Sequence, residues 1–297
     1  MSSQVEIVFW DVQHGHATYI KTPNNKHIVI DLGVGDYSGN DTSFSPLLHL
    51  KNKYDVQQLD YVIITHPHLD HIDDILNFEA LNPKVLFRPK HITNKEVMQE
   101  EKDVITIRNQ DKPKFEKYCE LNDLYNQPIG GGTNDPDNPD NLGAMKIESF
   151  IPTTCSHNNF NNHSIVTVIE YAGIKVVIPG DNEVCSFDEL MQRETFKSSV
   201  KDADILLAPH HGRENGYHND FVTLVNPRLT IVSDGRFCDT SANGRYSQKS
   251  RGWKVFKGNG TSTERNCLTT NSDGEIFVSF GPSSDTKFEN FLHVRTS

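Results

Sequence analysis

Apolar and polar residues alternate along several short stretches of this chain, beginning near its start. Val5–Trp10 and His16–Lys21 read as strands separated by a turn at Gly15, and His27–Ile30 reads as a third that closes on Asp31-Leu-Gly33. A polar stretch, Gly35–Ser45, is expected to form a loop over whatever site the strand ends create. Pro46–Tyr54 carries a short helical pattern, Tyr61–Ile64 is an apolar strand, and Ile72–Ala80 reads as the helix beyond it, with Asp73 and Asp74 capping its start. Val85–Arg88 is a short strand ended by Pro89. Thr93–Gln127 is rich in Lys and Glu and predicts one or two external helices, whereas the Gly-, Pro- and Asp-rich run Gly130–Asn141 predicts a surface loop.

The second half repeats the alternation. Met145–Pro152 is strand-like, and Ile165–Tyr171 with Ile174–Ile178 forms a hairpin around Ala172-Gly173. Phe187–Thr195 predicts a helix, Asp204–Ala208 and Leu229–Val232 buried strands, and Glu275–Phe280 the last strand before a loose tail. Strands and helices interleaved in this way predict an α/β fold. With 297 residues the chain can bury the core of one large domain spanning 1–297. Within it, 91–143 reads as a helical and loop insertion, and 236–297 as a basic loop, a final strand and a tail.

Composition narrows the picture. Hydrophobic residues make up 35% and charged residues 23%, as in a soluble globular protein. Met1-Ser-Ser-Gln-Val-Glu lacks the basic start and apolar core of a secretory signal, and no apolar run approaches the roughly 20 residues a membrane helix needs. Five unpatterned cysteines, at 119, 155, 185, 238 and 267, are expected to be reduced thiols, which suits a cytoplasmic location without membrane attachment. A net charge of −11 counts against promiscuous binding of long nucleic acids. Arg245, Lys249 and Arg251 belong to a locally basic, aromatic-bearing stretch, a candidate substrate-binding surface.

The chemistry concentrates at Thr65–His71, T-H-P-H-L-D-H, directly after an apolar strand. Imidazoles suit zinc and similar first-row ions, and a carboxylate adds a harder ligand. Asp181 follows Pro179-Gly180 at the end of another apolar strand, where a buried carboxylate needs a partner. Pro209-His-His-Gly212 also follows a buried strand.

H-x-H-x-D-H after a strand resembles the signature of the metallo-β-lactamase superfamily. Asp11-Val-Gln-His-Gly-His-Ala17, Pro179-Gly-Asp181 and Pro209-His-His-Gly212 narrow the resemblance to ComEC-type (competence protein) domains, of which this would be the soluble hydrolase-like part. The resemblance runs from residue 9 to about residue 212 and implies the αββα four-layer sandwich of that superfamily. It implies two divalent ions, zinc or alternatively manganese. His66, His68 and His163 would take the first ion and Asp70, His71 and His210 the second, with Asp181 shared and His211 reaching substrate or leaving group. Asp11, Asp31 and His16 would support these ligands from behind. Where ComEC-type domains have aspartate, this chain has His16, and at His163 many of them have asparagine.

Two adjacent ions lower the pKa of water to about 7 and supply hydroxide at neutral pH, so a metal-dependent hydrolase is implied, with Asp70, Asp181 and His211 as its catalytic residues. ComEC-type domains point to a phosphodiesterase or nuclease, and the acidic charge points to small or single-stranded substrates. The alternatives are a carboxyl-ester, thioester, lactone or lactam hydrolase, and a metal-binding regulatory protein acting with a protein partner.

Overall fold

Strands whose residues are buried on both faces dictate how the chain is layered. The computed structural model describes residues 4–36, 43–103, 110–235 and 242–297. Most of the loop expected at Gly35–Ser45, and the first residues of the basic 236–297 segment, lie outside these. In chain order come β1 (Val5–Phe9), β2 (Thr18–Lys21), β3 (His27–Ile30) and the two-residue strands β4 (Gly35–Asp36) and β5 (Ser43–Phe44). They are followed by α1 (Pro46–Lys53), β6 (Tyr61–Ile63), α2 (Leu69–Ile72), β7 (Val85–Phe87), α3 (Asn94–Asp103), α4 (Lys112–Leu124) and β8 (Lys146–Phe150). Next are β9 (Val166–Tyr171), β10 (Ile174–Ile178), α5 (Val184–Leu190), α6 (Glu194–Val200), β11 (Ile205–Leu207), α7 (Asn219–Val225) and β12 (Leu229–Val232). The chain closes with α8 (Asn243–Lys249), β13 (Trp253–Phe256), β14 (Ser262–Arg265), β15 (Cys267–Thr269), α9 (Thr270–Asp273), β16 (Ile276–Pro282) and β17 (Asn290–Thr296).

One sheet runs β14-β13-β17-β16-β1-β2-β3-β6-β7 and a second runs β15-β12-β11-β10-β9-β8. Their facing sides share one apolar layer: Val5, Ile7, Ile28 and Ile63 from the first pack with Ile169, Val176, Ile205 and Ile231 from the second. The strand period of two sends neighbouring residues outward. Val8, Val29 and Val62 meet Leu47 and Leu50 of α1 and Tyr118 of α4. On the other side Val168, Val177 and Leu206 meet Phe187 of α5, Phe196 of α6 and Phe221 of α7. Helix, sheet, sheet, helix is the αββα sandwich of the metallo-β-lactamase fold.

Two expectations change. The helix predicted over Ile72–Ala80 is the four-residue α2 followed, after a non-helical Asp74, by a 3-10 turn at Ile75–Leu81. Asp74 does not cap that turn. It accepts hydrogen bonds from Ser45 Oγ, Leu47 N and Asn77 Nδ2, which anchors the start of α1, while Asp73 pairs with Lys114 of α4. At the C-terminus the expected tail is β17, paired antiparallel with β16 and parallel with β13. It lies inside the sheet between β13 and β16, with Val294 and Thr296 buried and its other residues half-buried.

Cys155 and Cys185 form a disulfide across 30 residues of sequence, with Cα atoms 6.3 Å apart. This corrects the expectation of reduced thiols for these two residues. The folded path brings them together, and their spacing carries no pattern that announces it. Among the described residues no helix is long and apolar enough to cross a membrane.

Gly180 joins β10 to Asp181 with φ +59°, where a Cβ would stand 2.8 Å from Ser164 Cβ and 2.9 Å from Thr65 Cβ. Gly180→Ala should therefore destabilise the protein by about 2–4 kcal/mol, combining left-handed strain with overpacking. Denaturant unfolding with an unchanged midpoint would contradict this.

Candidate metal centre

The candidate site lies where strands of both sheets end. β6 leads into Thr65–His71, β10 into Asp181, β11 into Pro209–Gly212 and β12 into Ser233 and Asp234. Behind it stands Asp31, fully buried at the end of β3. Its carboxylate accepts from Thr65 N (2.7 Å), Thr65 Oγ1 (2.8 Å), His71 Nδ1 (2.8 Å) and His16 Nδ1 (2.9 Å). Burial opposes its charge, but the two imidazoles and their hydrogen bonds win and hold its pKa well below the usual carboxylate range. His16 in turn reaches Thr18 Oγ1 at 2.7 Å. Gly15 lets this segment press on the ligand turn: a Cβ there would lie 2.6 Å from the Asp70 carbonyl oxygen.

With Nδ1 of His71 committed to Asp31, its Nε2 points the other way. It lies 3.3 Å from Asp181 Oδ2 and 3.8 Å from Asp70 Oδ2. His211 is oriented in the same manner. Its Nδ1 donates to the Ser233 carbonyl (3.0 Å), leaving Nε2 at 3.0 Å from Asp181 Oδ2 and 3.2 Å from Asp70 Oδ2. Both Nε2 atoms are buried without a hydrogen bond. Asp70, His71, Asp181 and His211 thus offer four donor atoms all within 4.8 Å of one another. Two carboxylates and two inward-facing imidazoles fit a divalent cation of the zinc type. Burial disfavours charge on His211, yet Asp181 and then Asp70 outweigh it and push its pKa up to about 10. Protons on His211 and His71 balance these carboxylates when no ion does.

His211 stands in this group, whereas the sequence reading gave His210 that place. His210, His211 and Gly212 all have positive φ (47°, 54° and 72°), and this left-handed run turns the adjacent rings apart. His210 Nδ1 faces Glu183 at 3.3 Å and its Nε2 lies 3.9 Å from Asp181. His66 and His68 face one another, Nε2 to Nδ1, at 2.9 Å, and His66 Nδ1 is 3.1 Å from Ser164 Oγ. Among the described residues, the groups of three or more donors this close include neither. His163, expected beside them, stands with His91 and His157. Asp11 accepts from the backbone and side-chain amides of Gln13, closing its own turn.

Arg245, Lys249 and Arg251 are directed elsewhere. Arg245 pairs with Glu214 at 2.6 Å and lies over the Tyr217 ring, Lys249 donates to Thr223 Oγ1, and Arg251 donates to the Asn226 carbonyl. The cation beside the cluster is Arg213, within 3.4 Å of His210 Nε2 and 3.3 Å of His14. His14 itself lies 3.6 Å from Asp70. Sequence reading passed over both. Arg213 was signalled only by following P-H-H-G, and His14 only by lying inside the Asp11–Ala17 motif.

A family model described as the metallo-beta-lactamase superfamily matches residues 10–233. A metal-dependent hydrolase of Saccharolobus solfataricus is 36% identical over 70 residues, covering 24% of this chain and 27% of that protein. ComE operon protein 3 of Bacillus subtilis is 23% identical over 265 residues, covering 83% of this chain and 30% of that protein. The chain therefore matches less than a third of the length of either relative. Among solved structures, the metallo-beta-lactamase fold protein YhfI of Bacillus subtilis is similar at 13% identity, with 79% of this chain and 88% of that one covered and a TM-score of 0.42.

The raised His211 pKa sets a sign. In the metal-free protein its stabilising contribution is complete below the unfolded value of 6.5 and is lost as pH rises through about 10. A cation replaces that proton, so zinc binding at pH 7 should release protons, and affinity should climb across the same window. Calorimetry in buffers of different ionisation enthalpy reads the release; heats independent of buffer would contradict it. Asp31→Asn should cost about 3–5 kcal/mol in denaturant unfolding, because it strips the charge from a buried hub.

Proposed function

The chain belongs to the metallo-beta-lactamase superfamily, and from that premise we propose that it is a metal-dependent hydrolase acting on a small or single-stranded phosphodiester. The observation that carries this reading is the group of half-buried Asp70 with buried His71, Asp181 and His211, in which the two Nε2 atoms lack hydrogen bonds. These four residues would hold one divalent ion. His66 and His68 would supply imidazoles to a neighbouring one beside Asp181. Such ions, zinc or manganese, supply Lewis acidity and activate water near neutral pH.

The chain's own groups then divide the work. Asp31 and the Ser233 carbonyl fix the His71 and His211 tautomers, so that Nε2 of each is presented inward. Arg213 places a guanidinium against His210 and His14, which themselves lie within 3.9 Å of Asp181 and 3.6 Å of Asp70. A planar fork of N–H donors suits phosphate oxygens and stays charged at every working pH. His14, half-exposed at the mouth of the group, has its pKa lowered by partial desolvation and can donate an N–H to the same anion. This local cation in a chain of net charge −11 supports a short anionic substrate over a long duplex.

Purified protein supplied with zinc or manganese should cleave bis-p-nitrophenyl phosphate, single-stranded DNA or a cyclic dinucleotide, with loss of activity on chelation. Asp181→Ala should lower turnover by about 10²–10³-fold or more. Arg213→Ala should raise KM for the phosphodiester about tenfold and leave a neutral carboxyl ester unaffected. Metal-dependent turnover of esters or lactones with none of phosphodiesters would overturn the substrate assignment.

A further inference from the structure

Three histidines outside the catalytic group meet at a second place. His91 follows β7, His157 lies in the loop after β8, and His163 ends a 3-10 turn at Phe160–His163. His91 Nε2 and His163 Nδ1 are 2.9 Å apart. The ring centroids are 4.7 Å apart for His157 and His163, 4.9 Å for His91 and His163, and 5.6 Å for His91 and His157. One donor atom from each ring lies within 4.8 Å of the other two.

Their outer contacts decide which nitrogens carry lone pairs. His157 Nδ1 is 2.7 Å from a Glu96 carboxylate oxygen, so it carries the proton and leaves Nε2 as the acceptor. Glu96 is held in turn by Thr93 N (2.8 Å) and Thr93 Oγ1 (2.6 Å). His163 Nε2 faces the Ser156 carbonyl at 3.3 Å, which leaves its Nδ1 as the lone-pair atom, aimed at His91. A single proton on His91 Nε2 satisfies His163 alone. A cation accepts from all three imidazoles together, and a carboxylate behind one of them is the usual support for such a ligand.

We propose that His91, His157 and His163 bind a further divalent cation, of the zinc type, separate from the Asp70–His71–Asp181–His211 group. The site is structural in its consequences. It ties the 152–164 loop to the segment between β7 and α3, and that loop is already joined to α5 by the Cys155–Cys185 bond. The same loop carries Asn161, which donates to Glu183, and leads into Ser164 beside His66. An ion here would hold one wall of the catalytic group without touching its donors. His157 is 37% exposed at its side chain, which gives the ion a way in.

Zinc content per chain, measured by elemental analysis after equilibration with the metal alone, tests this. His91→Gln with His157→Gln should remove one equivalent both from the natural protein and from Asp181→Ala, and turnover should persist at saturating zinc. Both positions are partly exposed, so the substitutions are tolerable, and far-UV circular dichroism checks the fold. Glu96→Ala, a positioning change, should weaken this equivalent about 10–100-fold while keeping all three histidines. An unchanged zinc content in both backgrounds would overturn the proposal. Loss of one equivalent in the double variant alongside no loss in Asp181→Ala would uphold this site and sink the catalytic reading instead.

Discussion

A carboxylate buried at the end of β3 is the constraint on which the rest of the site depends. Asp31 is wholly excluded from solvent, and an unpaired charge there would cost several kcal/mol. Four donors from three chain segments remove that cost: Thr65 twice, His71 and His16. Satisfying one carboxylate therefore fixes the β2 start, the turn after β6 and the first turn of α2 relative to one another. Fixing His71 Nδ1 also decides where its Nε2 points. The electrostatic requirement of a hidden residue thereby becomes the orientation of a candidate ligand.

The layers make this arrangement possible. Both sheets are coated with apolar side chains on each face, so polar side chains collect where strands end. β10, β11 and β12 run parallel, and their C-terminal ends deliver Asp181, His210-His211 and Ser233 along a single edge. Parallel strands of an open α/β sheet place ligands at that edge for the same reason elsewhere. Gly15 admits the Asp70 carbonyl, and Gly180 admits the side chains of Ser164 and of Thr65 from the other half.

Histidine is used in two distinct ways around this edge. In the Asp70–Asp181 group the imidazoles face carboxylates, and without an ion they take up protons. In the His91–His157–His163 group they face each other, with one carboxylate behind. In the first arrangement the protonated imidazoles offset the two carboxylates. In the second, burial lowers the pKa of His91 and His163. Outer partners orient four of these imidazoles: Asp31 for His71, the Ser233 carbonyl for His211, Glu96 for His157 and the Ser156 carbonyl for His163.

Strand patterns, the T-H-P-H-L-D-H turn and the buried carboxylates at 31 and 181 were legible because each is a local property: period, composition and chain connectivity act over a few residues. The αββα layering followed from the resemblance those motifs carry, and the matching family confirms it. Other features are not local. Which of two adjacent histidines faces Asp181 depends on a left-handed backbone run at residues 210–212, and residue order does not encode that direction. His163 beside His91, Arg213 beside His14, and Cys155 bonded to Cys185 join positions that are 72, 199 and 30 residues apart. Sequence determined which groups were available and roughly where the strands would leave them. Tertiary structure alone decided which of them meet, because side-chain direction and long-range closure are settled only when the layers pack.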